Sequence, residues 1–256
     1  MERTQQNFQM VRSLFNTELV RVGYYGVIGV AVFKNVYQEV MSEQRNKLKK
    51  ICKGHFQSFM KKGSIICLGI AYPEDVIDCI DVVFDDGTID RNRWNVYAKE
   101  YHNINKILND ISKDISERFN GIPILATIEG IASKIQSVEE YYELTVSHRV
   151  IAENAGLGWR GKNELTVNDK FSCALRFASV LTTLSLLPSR KVENLCGICD
   201  ACLEACPFLK NKEKLENYRE SCRRYLIQLK LDADVCGKCI KSCYRQSIFS
   251  SKFKLH

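Results

Sequence analysis

The stretch CGICDACLEACP, Cys196 to Pro207, spells C-x2-C-x2-C-x3-C-P, four thiols within eleven residues and a proline after the last. A structural zinc ion takes four ligands tetrahedrally about one point, usually as two separated pairs. A four-iron cubane offers separate iron corners, so closely spaced cysteines each take a different iron as the chain wraps one face. A third cysteine three residues after the second suits the cubane. In two-cluster proteins with this spacing, the cysteine before the proline ligates the other cluster. The remainder of the chain should then supply one ligand to the first cluster and three to the second. It offers four downstream cysteines, Cys222, Cys236, Cys239 and Cys243. The expected sets are Cys196, Cys199, Cys202 and Cys243 for one [4Fe-4S] cluster, and Cys206, Cys222, Cys236 and Cys239 for the other.

The second half departs from a small free-standing two-cluster unit. Thirteen residues separate Cys222 from Cys236, and Tyr244 stands where a second proline is usual. The inserted YLIQLKLDADV is expected to pack a helix against the rest of the protein. Four further cysteines, Cys52, Cys67, Cys79 and Cys173, are scattered upstream. A disulfide framework would require export, and the N-terminus MERTQQNFQM has no cationic and apolar leader pattern. The longest apolar run, YYGVIGVAVF, is about half a membrane span. A cytoplasmic protein is expected, without a membrane partner.

The chain of 256 residues is 45% hydrophobic and 26% charged, a globular composition. Its net charge of +7 is uneven, with 14 Lys and Arg against 8 Asp and Glu from Pro188 onward. A basic segment suggests an anionic partner. Two clusters with eight thiolates would add roughly −4, which offsets most of that excess.

Upstream, Phe8, Val11, Phe15 and Leu19 give a helix over 5–20. GVIGVAVF reads as a buried strand, MSEQRNKLKKICKGHFQSFMKKG as one basic helix ended by Gly63, and SIICLGIAYP as a second strand. A long helix follows from Trp94 to Phe119, then a strand in IPILATIEG. HRVIAENAG reads as a short helix with Ser147 as N-cap. ELTVN and FSCALRFASVLTTL read as a hairpin about Asn168-Asp169-Lys170. The pattern predicts an α+β fold with a boundary in SLLPSRKVEN: residues 1–188 as a cofactor and substrate domain, 189–256 as a double-cluster domain.

The segment HRVIAENAGLGWRGKNELTVNDKFSCALRFASVLTTL, His148 to Leu184, resembles the signature of epoxyqueuosine reductases and of their shorter relatives, the four-iron double-cluster-binding proteins. GSIICLGIAYP and YAKEYHNINKIL look like their counterparts too. The resemblance implies a nitroreductase-like α/β core with an appended ferredoxin-like domain. It implies cobalamin in the core, reduced by two [4Fe-4S] clusters, as in the related reductive dehalogenases. It also implies removal of an epoxide oxygen from a modified tRNA base, and an electron donor such as ferredoxin or flavodoxin. Three features depart from the longer enzymes. Tyr142, with Glu143 beside it, aligns where they carry an acidic proton donor. His148 stands where they usually have an acid. Their helical-repeat tail, which helps hold tRNA, has no counterpart before His256.

AGLGWRGKN makes sense physically as a cofactor loop. Gly156, Gly158 and Gly161 permit close backbone approach. Arg160 and Lys162 place cations beside it, Trp159 can lie against a ring, and Asn163 completes the motif. The competing reading is a helix end and tight turn with Trp159 in the core. His148 is either an acid or ligand near a corrinoid or an ordinary first-turn residue. His55 and His102 read as surface or packing residues, and Cys173 as a small buried hydrophobe. The expected function is an iron-sulfur reductase acting on a small molecule or a tRNA base. A corrinoid-free electron-transfer or redox-sensing protein is the alternative.

Overall fold

In the computed structural model of the chain, residues 2–127 and 131–246 are described. α1 (Glu2–Val22) buries Val11, Phe15 and Leu19 along one stripe. It leads to β1 (Gly26–Val32), α2 (Phe33–Glu39), α3 (Ser42–Ile51), α4 (Phe56–Lys62), β2 (Ser64–Ala71) and α5 (Glu74–Asp78). α6 (Arg91–Arg118) starts where the Asp90 carboxylate accepts from the Arg93 N–H at 3.0 Å. Then follow β3 (Ile122–Ile124), α7 (Ile131–Lys134), α8 (Val138–Leu144), α9 (His148–Asn154), β4 (Trp159–Arg160), β5 (Thr166–Val167) and β6 (Leu175–Thr182). The thiol-rich segment carries α10 (Ala201–Glu204), α11 (Pro207–Lys210), α12 (Tyr218–Leu229) and α13 (Lys238–Gln246).

The architecture is α+β. Four strands form an antiparallel sheet in the order β1-β2-β6-β3, with β2 in register from Ser64 opposite Thr182 to Ala71 opposite Leu175. Successive side chains of a strand point to opposite faces, and here both faces are covered. Ile66, Leu68 and Ile70 join the core under α1 and α6. Ile65 and Cys67 join a second core with Phe33, Val36, Leu48 and Ile151. All eight residues of β2 are therefore buried, which is why SIICLGIA reads as an unbroken apolar run.

Three expectations are corrected. The basic stretch after Met41 is two helices, because Lys53 and Gly54 adopt φ of 46° and 87° and end α3. The turn at 168–172 exists as a bridge from Asn168 to Ser172, but its arms do not pair as a hairpin. β5 pairs with β4, while β6 joins β2 and β3 in the main sheet. The IPILATIEG strand is confined to Ile122–Ile124, and its residues 128–130 lie outside the described ones.

α12 packs its end against the upstream core, as the insertion suggests. Leu229, Ala233 and Val235 share a hydrophobic cluster with Trp94, Tyr97 and Ile104. The Trp94 indole N–H donates to the Cys236 carbonyl at 2.7 Å. Lys241 Nζ donates to the Ile80 carbonyl at 2.6 Å, and Arg245 pairs with Asp78 and Glu74. Partly exposed ion pairs contribute about 0–1 kcal/mol each. Burying a Leu or Val side chain contributes roughly 1.5–3 kcal/mol, so apolar contact dominates this junction. Among the described residues no helix is long and apolar enough to cross a membrane.

Candidate functional site

The C-terminal thiols fall into two neighbourhoods. Burial pushes the Cys202 thiol up to about 11, with added repulsion from Cys243, Cys196 and Cys199. Cys222 is raised to about 11 by burial and then by Cys206. Burial foremost, with Cys222 and Cys206, raises Cys236 to about 12. Cys239 rises well above the usual thiol range through burial, then through Cys236, Cys206 and Cys222, with Cys202 last. Among the described residues no three His, Cys, Asp or Glu side chains converge on a single-ion site. Cys202, Cys243, Cys196 and Cys239 also pack about one hydrophobic cluster, and a set of eight thiols is the donor chemistry that two cubanes take.

The AGLGWRGKN loop faces the first of these neighbourhoods. Its glycines are required by the protein's own backbone. A Cβ on Gly158, at φ +152°, would lie 2.0 Å from the Val167 carbonyl oxygen. One on Gly156, at φ +68°, would lie 2.3 Å from that of Arg190, and one on Gly161 would meet the Val167 side chain. Trp159 is buried, and its indole N–H donates to Cys196 Sγ at 3.2 Å. Lys162 pairs with Asp200 at 2.5 Å and feels the charges of Cys196 and Cys199. Asn163 donates to Cys173 Sγ at 3.2 Å, and Arg160 is held by Glu164. None of residues 156–163 lines the cavity between the sheet, α8 and α12.

That cavity, of about 290 Å³, lies between the sheet, α8 and α12. Tyr142 lines it, and its phenol oxygen accepts from Arg219 Nη1 at 2.6 Å. Arg219 also reaches Glu164 at 3.4 Å. Glu143, exposed, is not part of the wall. His148 lines the cavity, yet both ring nitrogens are engaged, Nε2 with the Leu125 carbonyl at 2.8 Å and Nδ1 with Ser179 Oγ at 3.2 Å. Burial pushes its imidazolium down to about 4, with the Arg176 charge adding to it against the Leu125 carbonyl's pull. His148 is a neutral, satisfied side chain with Ser147 as helix cap, which favours the first-turn reading. His102 bonds to the Asp232 carbonyl and His55 precedes α4.

Cys173 is where the thiols and the cavity meet. It is buried, lines the cavity with Ile240, and packs in one cluster with Cys202 and Cys243. Ser172 Oγ donates to Cys243 Sγ at 2.9 Å. The small-hydrophobe reading of Cys173 is incomplete on this account. Sequence reasoning also missed Arg219 and Arg176. For Arg176 a signal existed, a lone cation within the apolar run FSCALRFASVL.

The 290 Å³ cavity taken alone is smaller than a corrinoid needs, and a second cavity of about 600 Å³ adjoins it at Thr127, Thr145 and Val146. Sites for drug-sized ligands span about 300–1,000 Å³, and a corrin macrocycle with its side chains is larger than such ligands. Among the lining residues the one histidine is already bonded through both nitrogens.

Fold and site define an α+β protein in which a thiol-rich C-terminal segment backs a tyrosine- and arginine-lined cavity. No family model matches the chain. Among curated proteins it is similar to epoxyqueuosine reductase from Bacillus subtilis, 29% identical over 174 residues, 66% of this chain and 41% of that one. It is 26% identical to the Listeria monocytogenes epoxyqueuosine reductase over 175 residues, 67% and 42% of the two chains. The solved epoxyqueuosine reductase from Streptococcus thermophilus superposes with a TM-score of 0.50 at 15% identity, covering 93% of this chain and 66% of that one. At that identity the likeness is one of fold. The chain is thus similar in sequence and in fold to epoxyqueuosine reductases. The match spans about two fifths of the curated relatives.

Proposed function

We propose that the chain is a cytoplasmic iron-sulfur oxidoreductase of the epoxyqueuosine reductase-like type. A nitroreductase-like core, residues 1–188, binds the electron acceptor, and a ferredoxin-like segment, residues 189–256, carries two [4Fe-4S] clusters. Cys196, Cys199, Cys202 and Cys243 would hold one, and Cys206, Cys222, Cys236 and Cys239 the other. The observation that carries the reading is Cys173, which touches the first thiol group on one side and the cavity on the other. The clusters, when bound, supply single electrons across that wall.

The chain's own residues supply the rest. Deoxygenating an epoxide takes two electrons and two protons, and the oxygen leaves as water. Arg219 donates to the Tyr142 oxygen, which leaves the phenol proton free to point into the cavity, the position a proton donor needs. Trp159 and Ser172 donate hydrogen bonds to Cys196 and Cys243, which favour the more negative, reduced state of the first cluster. The resemblance adds cobalamin as the acceptor; the cavity's size supports a smaller molecule, and no step depends on cobalt. The substrate is a small molecule or a tRNA base, and the electrons come from a donor such as ferredoxin or flavodoxin.

Anaerobic purification followed by metal analysis tests the reading. Roughly eight irons per chain with matching sulfide are expected. Stoichiometric zinc with fewer than about four irons would overturn it. Cobalt retained, or a corrinoid spectrum gained on adding cobalamin, would assign the acceptor to the corrinoid. Trp159→Phe is expected to leave the iron count unchanged. It should lower the first cluster's reduction potential by on the order of 20–60 mV, one hydrogen bond's worth for a one-electron couple. A redox titration followed by electron paramagnetic resonance measures it, and an unchanged potential removes Trp159 from the argument.

A further inference from the structure

Arg176 lines the cavity from β6, in a strand otherwise built of apolar and small side chains. Its Nε donates to Asn105 Oδ1 at 3.0 Å and its Nη2 to the Thr127 carbonyl at 3.3 Å. The guanidinium lies over the Tyr101 ring, 4.2 Å from its centroid. Among the described residues no carboxylate pairs with it, and burial works against its charge. The other cavity cations differ. Arg219 has Glu164 and Arg149 has Glu153 at 2.8 Å. Among the described residues, Arg176 is the unmatched charge of this wall.

Withdrawing an ion from water costs more than a stacked ring and two neutral acceptors return. Two of the five guanidinium N–H donors are used, and three have no partner among the described residues. A second, independent feature points the same way. Thr166 lines the same cavity, is 4% exposed, and its hydroxyl oxygen has no hydrogen-bond partner among the described residues. A buried hydroxyl and a half-buried cation, both short of partners and opening on one space, describe a site that a ligand completes. The aromatic walls, Tyr141, Tyr142 and Phe177, suit a planar body.

We propose that the cavity binds a small planar molecule bearing an oxyanion, a carboxylate or a phosphate, with Arg176 as its counter-ion and Thr166 as a hydrogen-bonding partner. The site assigns the ligand a negative charge, which an uncharged base or a neutral amide lacks. The inference deepens the cavity's assignment as the acceptor site, but it concerns binding alone and needs no electron transfer.

The test is calorimetric titration of the iron-loaded full chain with benzoate, phenyl phosphate and benzamide at fixed ionic strength. One or both oxyanions are expected to bind at millimolar concentration or below, about tenfold to a hundredfold more tightly than benzamide. Which of the two binds more tightly distinguishes carboxylate from phosphate. Arg176→Met should bring the three affinities together, while Arg176→Lys keeps the order with weaker binding. Equal affinities in the unaltered protein, no oxyanion binding at millimolar concentration, or an undiminished preference in Arg176→Met would each overturn the inference. The comparison of probes in the unaltered chain stands even where the Met variant does not fold. Eight irons without oxyanion binding sink this inference alone, whereas oxyanion binding by a protein that takes up no iron sinks the redox reading alone.

Discussion

The double variant Cys206→Ala/Cys222→Ala is expected to retain about four irons per chain, half the load of the unaltered protein. Both residues lie in one electrostatic neighbourhood, with Cys236 and Cys239. Removing two ligands from one cluster forfeits that cluster and no other. Cys202→Ala/Cys206→Ala strikes both neighbourhoods and should leave almost no iron. The rival partition takes the cysteines in chain order, with Cys196, Cys199, Cys202 and Cys206 as one set. It predicts the reverse, four irons in the second variant and almost none in the first. Alanine is preferred to serine because an alkoxide can stand in for a thiolate. Iron and sulfide assays on protein with unchanged circular dichroism decide between the two partitions.

Stability should fall by about 3 kcal/mol as the pH drops from 6.5 to 4, on the His148 contribution alone. The folded protein holds this imidazole neutral down to about 4, whereas the unfolded chain takes up the proton near 6.5. Between those values the unfolded state binds more protons, so stability rises with pH there. The contribution is fully present above 6.5 and lost on the way down. Urea midpoints measured from pH 7.5 to 4.5 should show a steeper acid decline in the unaltered protein than in His148→Gln. The difference in slope approaches one proton, about 1.4 kcal/mol per pH unit. Parallel declines would show that His148 titrates normally in the fold.

What was legible in the sequence follows the range over which each signal acts. Cysteine spacing is local, so the pattern of CGICDACLEACP stands out without knowledge of the fold. α1 and α6 are long enough for their periodicity to be counted, and β1 and β2 are apolar enough to stand out. α2 escaped because its seven residues follow a strand without a side-chain cap. The partners of β6 were misassigned because pairing is not local. Its neighbour β2 lies about a hundred residues upstream, while the adjacent β5 pairs elsewhere. The glycines of AGLGWRGKN show the same limit. Sequence reveals that something approaches the backbone, and here it is the carbonyls of Val167 and Arg190. Tyr142 and Arg219, 77 residues apart, meet through tertiary packing that no spacing announces.

The basic excess after Pro188 was expected to offset cluster charge, and much of it has a second destination. Lys238 pairs with Asp81, Arg245 with Asp78 and Glu74, and Arg223 donates to the Ala132 and Ile135 carbonyls. Each fastens the thiol segment to the upstream chain.

Trp94, fully buried, reaches out of α6 to grip the backbone of Cys236 itself. The loop that carries this thiol is thereby part of the same solid as the sheet, with Val235 in the core on one side and Gly237 against Tyr97 and Ile80 on the other. Under the proposed function, a relay wired in this way would have no shuttle stroke. The gap between its sulfur groups and the cavity would be set once, when the chain folds, and electron transfer would not wait for a swinging arm.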